Sequence, residues 1–235
     1  MRNFFVFDGA DSRDFGVYIS GQGTFNSPAR VYESQPIPGR NGEIVVSANR
    51  LENVELTYPA YVYTDFRRNL RKLRSFLLSR VGYCRLEDTY QPGEYRMALF
   101  RDALDVDATA RNDAGRFDVT FFCKPQRFLL SGEETQVFTA AGRIYNPTMF
   151  DARPLIRVYG TGEVGLGNGT ITITAADGYT DLDCDVMEAY KGTANKNQYV
   201  QLSSLDFPVL PPGETGIALG SGITRVEIIP RWWEV

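Results

Sequence analysis

Carboxylate residues have the clearest spacing for chemistry in this sequence. They alternate with other residues in two runs, which are Asp105 with Asp107, and Asp181 with Asp183 and Asp185. Two carboxylates about 5–10 Å apart across a cleft can hydrolyse a glycosidic bond, but only when their environments differ. Spacing along a strand does not supply such a cleft. We therefore interpret the second run as an acidic stripe on the solvent face of a strand, and keep a glycosidase as a rival hypothesis.

A calcium loop is the other chemistry that the second run could support. An EF-hand loop beginning at Asp181 needs glycine at its sixth position and glutamate at its twelfth. Val186 and Gly192 stand there instead. A calcium site therefore remains the weaker alternative to a solvated stripe.

A glycine pattern at residues 160–165 matches GxGxxG, the dinucleotide fingerprint. That fingerprint works only where a helix opens at the third glycine and holds the pyrophosphate at its N-terminus. Here Asn168-Gly169 follows and leads into an alternating strand pattern. We interpret these glycines as turn residues and predict no cofactor.

The sequence contains no histidine, and its three cysteines are far apart. The first fact excludes Ser-His-Asp and Cys-His catalysis and histidine-ligated zinc. Cys84, Cys123 and Cys184 do not have the spacing of a CxxC metal site or a disulfide framework. We predict that the protein is not an enzyme, with no catalytic or metal-binding residue.

Composition describes a globular chain of 235 residues, of which 43% are hydrophobic. No stretch approaches the length of a membrane helix, and the first residues do not form a signal peptide, so we expect folding in the cytoplasm that makes it. Net charge is −4 but uneven: residues 1–130 carry +2 and residues 131–235 carry −6. The asymmetry suits two domains that meet different surfaces, and the acidic total argues against a general nucleic-acid binder.

Short strands separated by glycine and proline predict a mainly β fold with two domains, residues 1–130 and 131–235. Lys124-Pro125 should end the last strand of the first domain. In the second domain, Asn168-Gly169 and Asp177-Gly178 predict two tight hairpins. Seven or so strands over about 100 residues indicate a sandwich or jelly roll.

One helix is predicted over residues 64–81, with Thr64 as its cap and Gly82 at its end. Its apolar stripe consists of Phe66, Leu70, Leu73 and Leu77. The opposite face is basic and consists of Arg67, Arg68, Arg71, Lys72, Arg74 and Arg80. That face could bind DNA or a membrane, but a solvated or subunit-facing surface is the interpretation we favour in an acidic chain.

Three further segments are candidates for contacts with other proteins. The rigid loop 36–42 presents Pro38, Arg40 and Asn41. The loop 88–93, with Tyr90, is long enough to reach a neighbouring subunit. Trp232 and Trp233 are adjacent, so on a strand they would face opposite ways and one indole would lie outside the local core. From the basic face, Arg67, Arg71 and Arg74 are the residues we assign to a subunit interface.

The order of several motifs resembles the distal tail proteins of long-tailed, non-contractile bacteriophages and prophages. The motifs are Asp11-Ser12-Arg13-Asp14-Phe15-Gly16-Val17-Tyr18-Ile19, Pro38-Gly39-Arg40-Asn41-Gly42, Val119-Thr120-Phe121-Phe122-Cys123-Lys124-Pro125, Tyr145-Asn146-Pro147, Ala152-Arg153-Pro154-Leu155-Ile156-Arg157-Val158-Tyr159-Gly160-Thr161-Gly162, Phe207-Pro208-Val209-Leu210-Pro211-Pro212-Gly213 and Pro230-Arg231-Trp232-Trp233. The chain departs from the family pattern at Pro147, where glycine is common, and at Thr215, where asparagine is common.

The resemblance implies a ring-forming β domain with one helix and a galectin-like β-sandwich. It also implies a structural role in the virion: a hexameric hub at the tail tip, joining the tail tube to the tail-associated host-recognition protein. The tape measure protein would be a further partner, and DNA would only pass through the channel. The rival hypothesis is a carbohydrate-binding module for host attachment, since the chain is rich in tyrosine.

Overall fold

The computed structural model describes residues 2–21, 23 and 25–235, without the side chains of residues 47–49. The fold is mainly β with one α-helix, as predicted. The chain divides into two compact units, unit 1 up to Arg127 and unit 2 over Phe128–Glu234.

Unit 1 contains the α-helix and ten strands. The helix α1 spans Phe66–Ser79 and follows a short 3-10 helix at Ser12–Phe15. The strands are β1 (Phe5–Phe7), β2 (Ala10–Asp11), β3 (Val17–Ile19), β4 (Arg30–Pro36), β5 (Glu43–Leu51), β6 (Val54–Val62), β7 (Cys84–Asp88), β8 (Glu94–Leu99), β9 (Val106–Ala108) and β10 (Gly115–Leu129), the last of which runs on into unit 2.

The main sheet of unit 1 has the order β2-β1-β7-β8-β10-β6-β3, and β9 also pairs with β10. It curls far enough for Asn3, just before β1, to bridge Ile19 at the end of β3. Alternation along β6, and along β10 as far as Phe121, turns every second side chain inward, including Tyr58, Val119 and Phe121. These rings and aliphatic groups form the core of unit 1.

The apolar stripe of α1 lies in this core as predicted, with Leu73 and Leu77 fully buried. The predicted ends of the helix were wrong. Asp65 precedes the first turn in the left-handed region, with φ 44° and no capping side chain, and Thr64 only accepts a hydrogen bond at its carbonyl, from Asn69. The helix ends at Ser79, because Arg80 is already extended.

Pro125 does not end β10, contrary to the prediction. The strand continues to Leu129. Cys123 is the last residue of β10 that pairs with β6. Because Pro125 lies beyond it, the N–H group that proline lacks is not needed for a hydrogen bond to β6.

Unit 2 is a sandwich of two antiparallel sheets around one core. One sheet has the order β11-β21-β13-β16-β17-β18, and the other β12-β20-β14-β15-β19. Its strands are β11 (Gln136–Phe138), β12 (Gly142–Asn146), β13 (Leu155–Gly160), β14 (Gly162–Leu166), β15 (Gly169–Ile173), β16 (Tyr179–Asp183), β17 (Glu188–Lys191), β18 (Ala194–Asn195), β19 (Val200–Leu202), β20 (Gly213–Leu219), β21 (Ile223–Ile229) and β22 (Trp233–Glu234). Two 3-10 helices lie at Leu130–Glu133 and Asn197–Tyr199.

The two predicted hairpins of unit 2 have different outcomes. Asn168-Gly169 lies at the tight turn between β14 and β15, which pair with each other from Leu166↔Gly169. Asp177-Gly178 lies between β15 and β16, which belong to different sheets. The second turn signal is thus a crossover between the layers of the sandwich.

Candidate assembly surfaces

The hairpin formed by β4 and β5 is a two-stranded sheet of its own, since neither strand pairs with the main sheet of unit 1. Apolar side chains on both of its faces are exposed. Their exposed fractions are 58% for Tyr32, 51% for Ile44, 59% for Val45 and 55% for Val46. An isolated two-stranded hairpin is marginally stable in water, so a ribbon with these residues needs a covering surface.

The predicted loop residues Pro38, Arg40 and Asn41 form the tip of this hairpin, and all three are exposed. The amide of Arg40 donates to the carbonyl of Ile37 at 3.2 Å, which closes the turn. The tip therefore presents one cation on a protruding ribbon.

The basic face of α1 consists of Arg67, Arg68, Arg71, Lys72 and Arg74, all exposed. The Arg74 side chain donates to the Leu104 carbonyl at 3.2 Å. The other four have no ion pair in the part of the chain that the structure describes, and α1 itself carries no carboxylate. Arg80, assigned to this face from the sequence, pairs instead with Asp8 at 2.6 Å. The result is a strongly positive surface on an acidic protein.

Loop 88–93 does not reach outward, contrary to the prediction. The Asp88 carboxylate accepts the amide protons of Tyr90 and Gln91 at 2.7 and 3.0 Å. Thr89 bonds the backbone of Phe4. The Tyr90 ring stacks on Tyr58 with centroids 6.4 Å apart and packs against the core of unit 1. Tyr90 is therefore mainly a packing residue.

The paired tryptophans lie in different environments, as predicted, with Trp232 in the core of unit 2 and Trp233 outside that core and partly exposed. Trp232 is only 3% exposed and belongs to the core of unit 2, so it cannot contact a partner protein. Trp233 stacks on Phe150 of the same unit with centroids 4.3 Å apart, and its Nε1–H donates to the Asp151 carbonyl at 2.9 Å. Both indoles therefore pack against residues of unit 2.

A wide cleft of about 1500 Å³ in unit 1 is the feature that sequence reasoning missed. It lies over the outward-facing residues of β6 and β10 and is bounded by residues 102–109. We call it the acidic cleft, because its lining holds four aspartates and one arginine, Arg116. Of the aspartates, Asp105, Asp107 and Asp118 are exposed and have no ion pair among the described residues. Alternation in β6 and β10 was the available signal, but the position of residues 102–109 was not predictable from it.

The aspartates of unit 2 do not form a solvated stripe, and that prediction was wrong. Asp181 is 4% exposed and binds Arg157 with two hydrogen bonds of 2.6 and 2.9 Å. Asp183 binds Arg231 in the same two-point manner, at 2.7 and 2.9 Å. The hydrogen bond from Arg231 lowers the pKa of the Asp183 carboxyl. Only Asp185 of the three is exposed.

Tyrosines on the same sheet face are already covered by cations. The Arg225 guanidinium lies 4.0 Å from the ring centroid of Tyr159, and that of Arg157 lies 4.4 Å from Tyr179. A sugar ring that stacked on these tyrosines would have to displace the cations. This sheet face therefore gives no support to the carbohydrate-binding hypothesis.

The glycine pattern at residues 160–165 runs directly into β14, so a strand stands where the dinucleotide fingerprint requires a helix. Among the described residues, no group of acidic or cysteine side chains is arranged to hold a metal ion. Within the same residues, no helix is long and apolar enough to cross a membrane.

Hub proteins of phage tails share this fold. The crystal structure of the SPP1 Dit (gp 19.1) protein, described as a paradigm of the hub adsorption apparatus in phages infecting Gram-positive bacteria, has a TM-score of 0.76 at 16% identity over 100% of both chains. The phage p2 baseplate in its activated conformation with Sr gives a TM-score of 0.51 at 11% identity over 97% of both chains. No protein-family model and no curated protein matches the chain. The resemblance to phage tail hub proteins is thus confirmed at the level of the fold.

Proposed function

We propose that this protein is a structural subunit of a phage tail tip, and that six copies form a ring that serves as the hub. The ring joins the tail tube to the tail-associated host-recognition protein, contacts the tape measure protein, and lets DNA pass through its channel. Unit 1 forms the ring, and unit 2 is a galectin-like sandwich. The protein is made in the cytoplasm of the host bacterium and resides at the tip of the virion tail.

The isolated hairpin is the observation that carries this proposal. Burying the exposed parts of Tyr32, Ile44, Val45 and Val46 on a neighbouring subunit would remove apolar surface from water at about 25 cal/mol per Å². None of the described side chains from 20 to 53 belongs to the core of unit 1, so the described part of the hairpin adds nothing to that core.

A ring follows if the hairpin of one subunit meets a different surface of the next. Such heterologous contacts close into a ring when the rotation between subunits permits it. The fold shared with phage hub proteins supports this arrangement over an isologous dimer.

Native mass spectrometry and negative-stain imaging of the wild-type chain test the proposal. We expect six-fold rings at a protein concentration of about 50 µM. A contact with a binding free energy of roughly −8 kcal/mol is largely formed at that concentration. A chain that is only monomeric under these conditions contradicts the proposal.

A matched pair of variants tests the role of the hairpin. Val45→Ser with Val46→Ser removes two exposed valines from the hairpin, and Val137→Ser with Val186→Ser removes two from unit 2 with similar exposed fractions, 55% and 60%. In the first variant, each contact between subunits should lose about 2 kcal/mol of binding free energy from apolar burial. The affinity of each contact should then fall about 30-fold. The second should assemble like the wild type, and equal behaviour of the two would remove the hairpin from the interface.

A further inference from the structure

Apart from Arg74, which bonds the Leu104 carbonyl, the cations of the basic face have no ion pair among the described residues. Arg67 and Arg68 lie in its first turn, where the helix dipole disfavours positive charge by about 0.3–1 kcal/mol each. Arg67 with Arg71, and Arg68 with Lys72, are like-charge pairs four residues apart, which further destabilise a helix. A helix that keeps these positive charges without a partner in its own chain is suited to bind a negatively charged surface of another molecule.

The acidic cleft has the complementary charge and lies on the same unit, where Arg74 at one edge of the basic face donates to Leu104 in the segment that bounds the cleft. None of the five basic-face residues lines the cleft. Its lining includes Asp118 on the outward face of β10, and Asp105 and Asp107 stand at its side. The basic face and the acidic cleft are therefore two different patches of one subunit, as a head-to-tail contact requires.

The size of the cleft indicates a macromolecular occupant. At about 1500 Å³ it exceeds the usual volume of small-molecule sites, which is roughly 300–1,000 Å³. Its outward tyrosines Tyr61 and Tyr63 add apolar area beside the carboxylates, and the Tyr63 ring already has the Arg2 guanidinium 5.1 Å from its centroid. Aromatic side chains are well suited to contact the long stems and planar heads of arginines.

We propose that the basic face of α1 docks on the acidic cleft of a second copy of this chain. This inference rests on the proposed ring and names a contact within it, in addition to the hairpin. Charge complementarity between the two patches selects the neighbouring subunit and its orientation.

Charge reversal on each side tests the contact. The helix variant is Arg67→Glu with Arg71→Glu, and the cleft variant is Asp105→Lys with Asp107→Lys. Each should weaken assembly at least 100-fold, since every contact of the ring then joins like charges. The control for the helix variant is Arg143→Glu with Arg153→Glu, which replaces two exposed arginines of unit 2 and changes the net charge by the same amount. This control should assemble normally.

Mixing the two variants gives the decisive result. In a ring that alternates them, each reversed helix meets a reversed cleft and each native helix meets a native cleft, so a ring with an even number of copies is fully complementary. We expect native mass spectrometry to show alternating hexamers in the mixture, and homogeneous rings of the chain that carries all four substitutions. Melting curves confirm that each variant is folded.

Several outcomes would overturn the inference. Singly reversed variants that assemble like the wild type exclude the contact, and so does a mixture that fails to assemble. If helix reversal leaves the ring intact but abolishes binding of a duplex oligonucleotide, the occupant of the basic face is nucleic acid. If only cleft reversal disrupts the ring, the cleft receives another segment, such as the hairpin. In each case wild-type rings still form, which separates this failure from failure of the proposed function.

Discussion

Arg231 and Asp183 are joined by two parallel hydrogen bonds, Nη1–Oδ1 at 2.7 Å and Nη2–Oδ2 at 2.9 Å. The backbone of Arg231 is in the left-handed region with φ 59°, where a non-glycine residue is uncommon. Its amide donates to the carbonyl of Gly132 at 2.8 Å. The side-chain pair and this backbone bond together hold the segment before Trp232 in place.

Asp183→Asn should lower the free energy of unfolding by about 2 kcal/mol. The change removes the charge that faces a guanidinium largely withdrawn from water, and hydrogen bonds to charged groups contribute about 1.5–3 kcal/mol. Urea titration measures the loss. Asp185→Asn is the control, because Asp185 is exposed, and a loss of equal size there would show that the ion pair is not the cause.

The same pair makes stability depend on pH in the acid range. Arg231 lowers the pKa of the Asp183 carboxyl below its unfolded value, which is about 3.9. The carboxylate therefore stabilises the fold above that value, and this contribution disappears as pH falls through the lowered pKa. The stability difference between wild type and Asp183→Asn should be constant from about pH 7 to 5 and narrow below about pH 4. A difference that does not narrow would contradict this assignment.

Gly132→Ala should destabilise unit 2 by about 1–3 kcal/mol. A Cβ at this position would lie 2.4 Å from the backbone nitrogen of Trp232, so the backbone would have to move. Gly216→Ala is the matched control, since a Cβ there meets nothing within 4 Å. Thermal melting of both variants separates a steric cost from the general effect of replacing glycine.

Leu73→Ala should cost about 2–5 kcal/mol of unfolding free energy, because Leu73 is fully buried in the core of unit 1. Leu78→Ala on the same helix should cost less than about 0.5 kcal/mol, because Leu78 is 64% exposed. Urea denaturation compares the two, and equal losses would contradict the packing of α1 on the sheet.

Two of the three thiols should be unreactive in the folded protein. Burial raises the pKa of Cys123 and of Cys184 to about 12, so little thiolate is present at pH 8. A thiol reagent should modify only the half-buried Cys84 in the folded chain, and all three cysteines in urea. Cys84→Ser should therefore have no fast-reacting thiol, and fast reaction of that variant would contradict the burial of the other two.

Local sequence patterns predicted the elements whose periodicity is strong. The stripe of Phe66, Leu70, Leu73 and Leu77 identified the helix, and alternation from Phe117 to Cys123 identified the inward face of β10. These signals succeed because one face of each element is buried in a single core. The helix cap was missed because Asp65 enters the first turn through a left-handed backbone, which no side-chain pattern reveals.

Contacts distant in sequence were harder to predict. Asp181 and Asp183 looked like exposed carboxylates because their partners, Arg157 and Arg231, lie on other segments of the chain. Trp232 looked available for a partner because nothing local showed that unit 2 would close over it. The acidic cleft depends on where residues 102–109 cross the outer face of the sheet, and that placement is decided by tertiary packing.

The hairpin interrupts two strands that are direct neighbours, since β3 and β6 pair from Val17↔Val62 to Ile19↔Ala60. Of the side chains between them that the structure describes, none belongs to the core of unit 1. The exposed side chains of β4 and β5 therefore carry few constraints from the core, whereas Asn26 and Asn53 hold the ends of the stretch by donating to the Glu55 carbonyl at 3.1 Å and to the Tyr83 hydroxyl at 2.6 Å. Substitutions on the exposed faces of the hairpin would thus change the surface that it offers to another molecule, while the core of unit 1 stays unchanged.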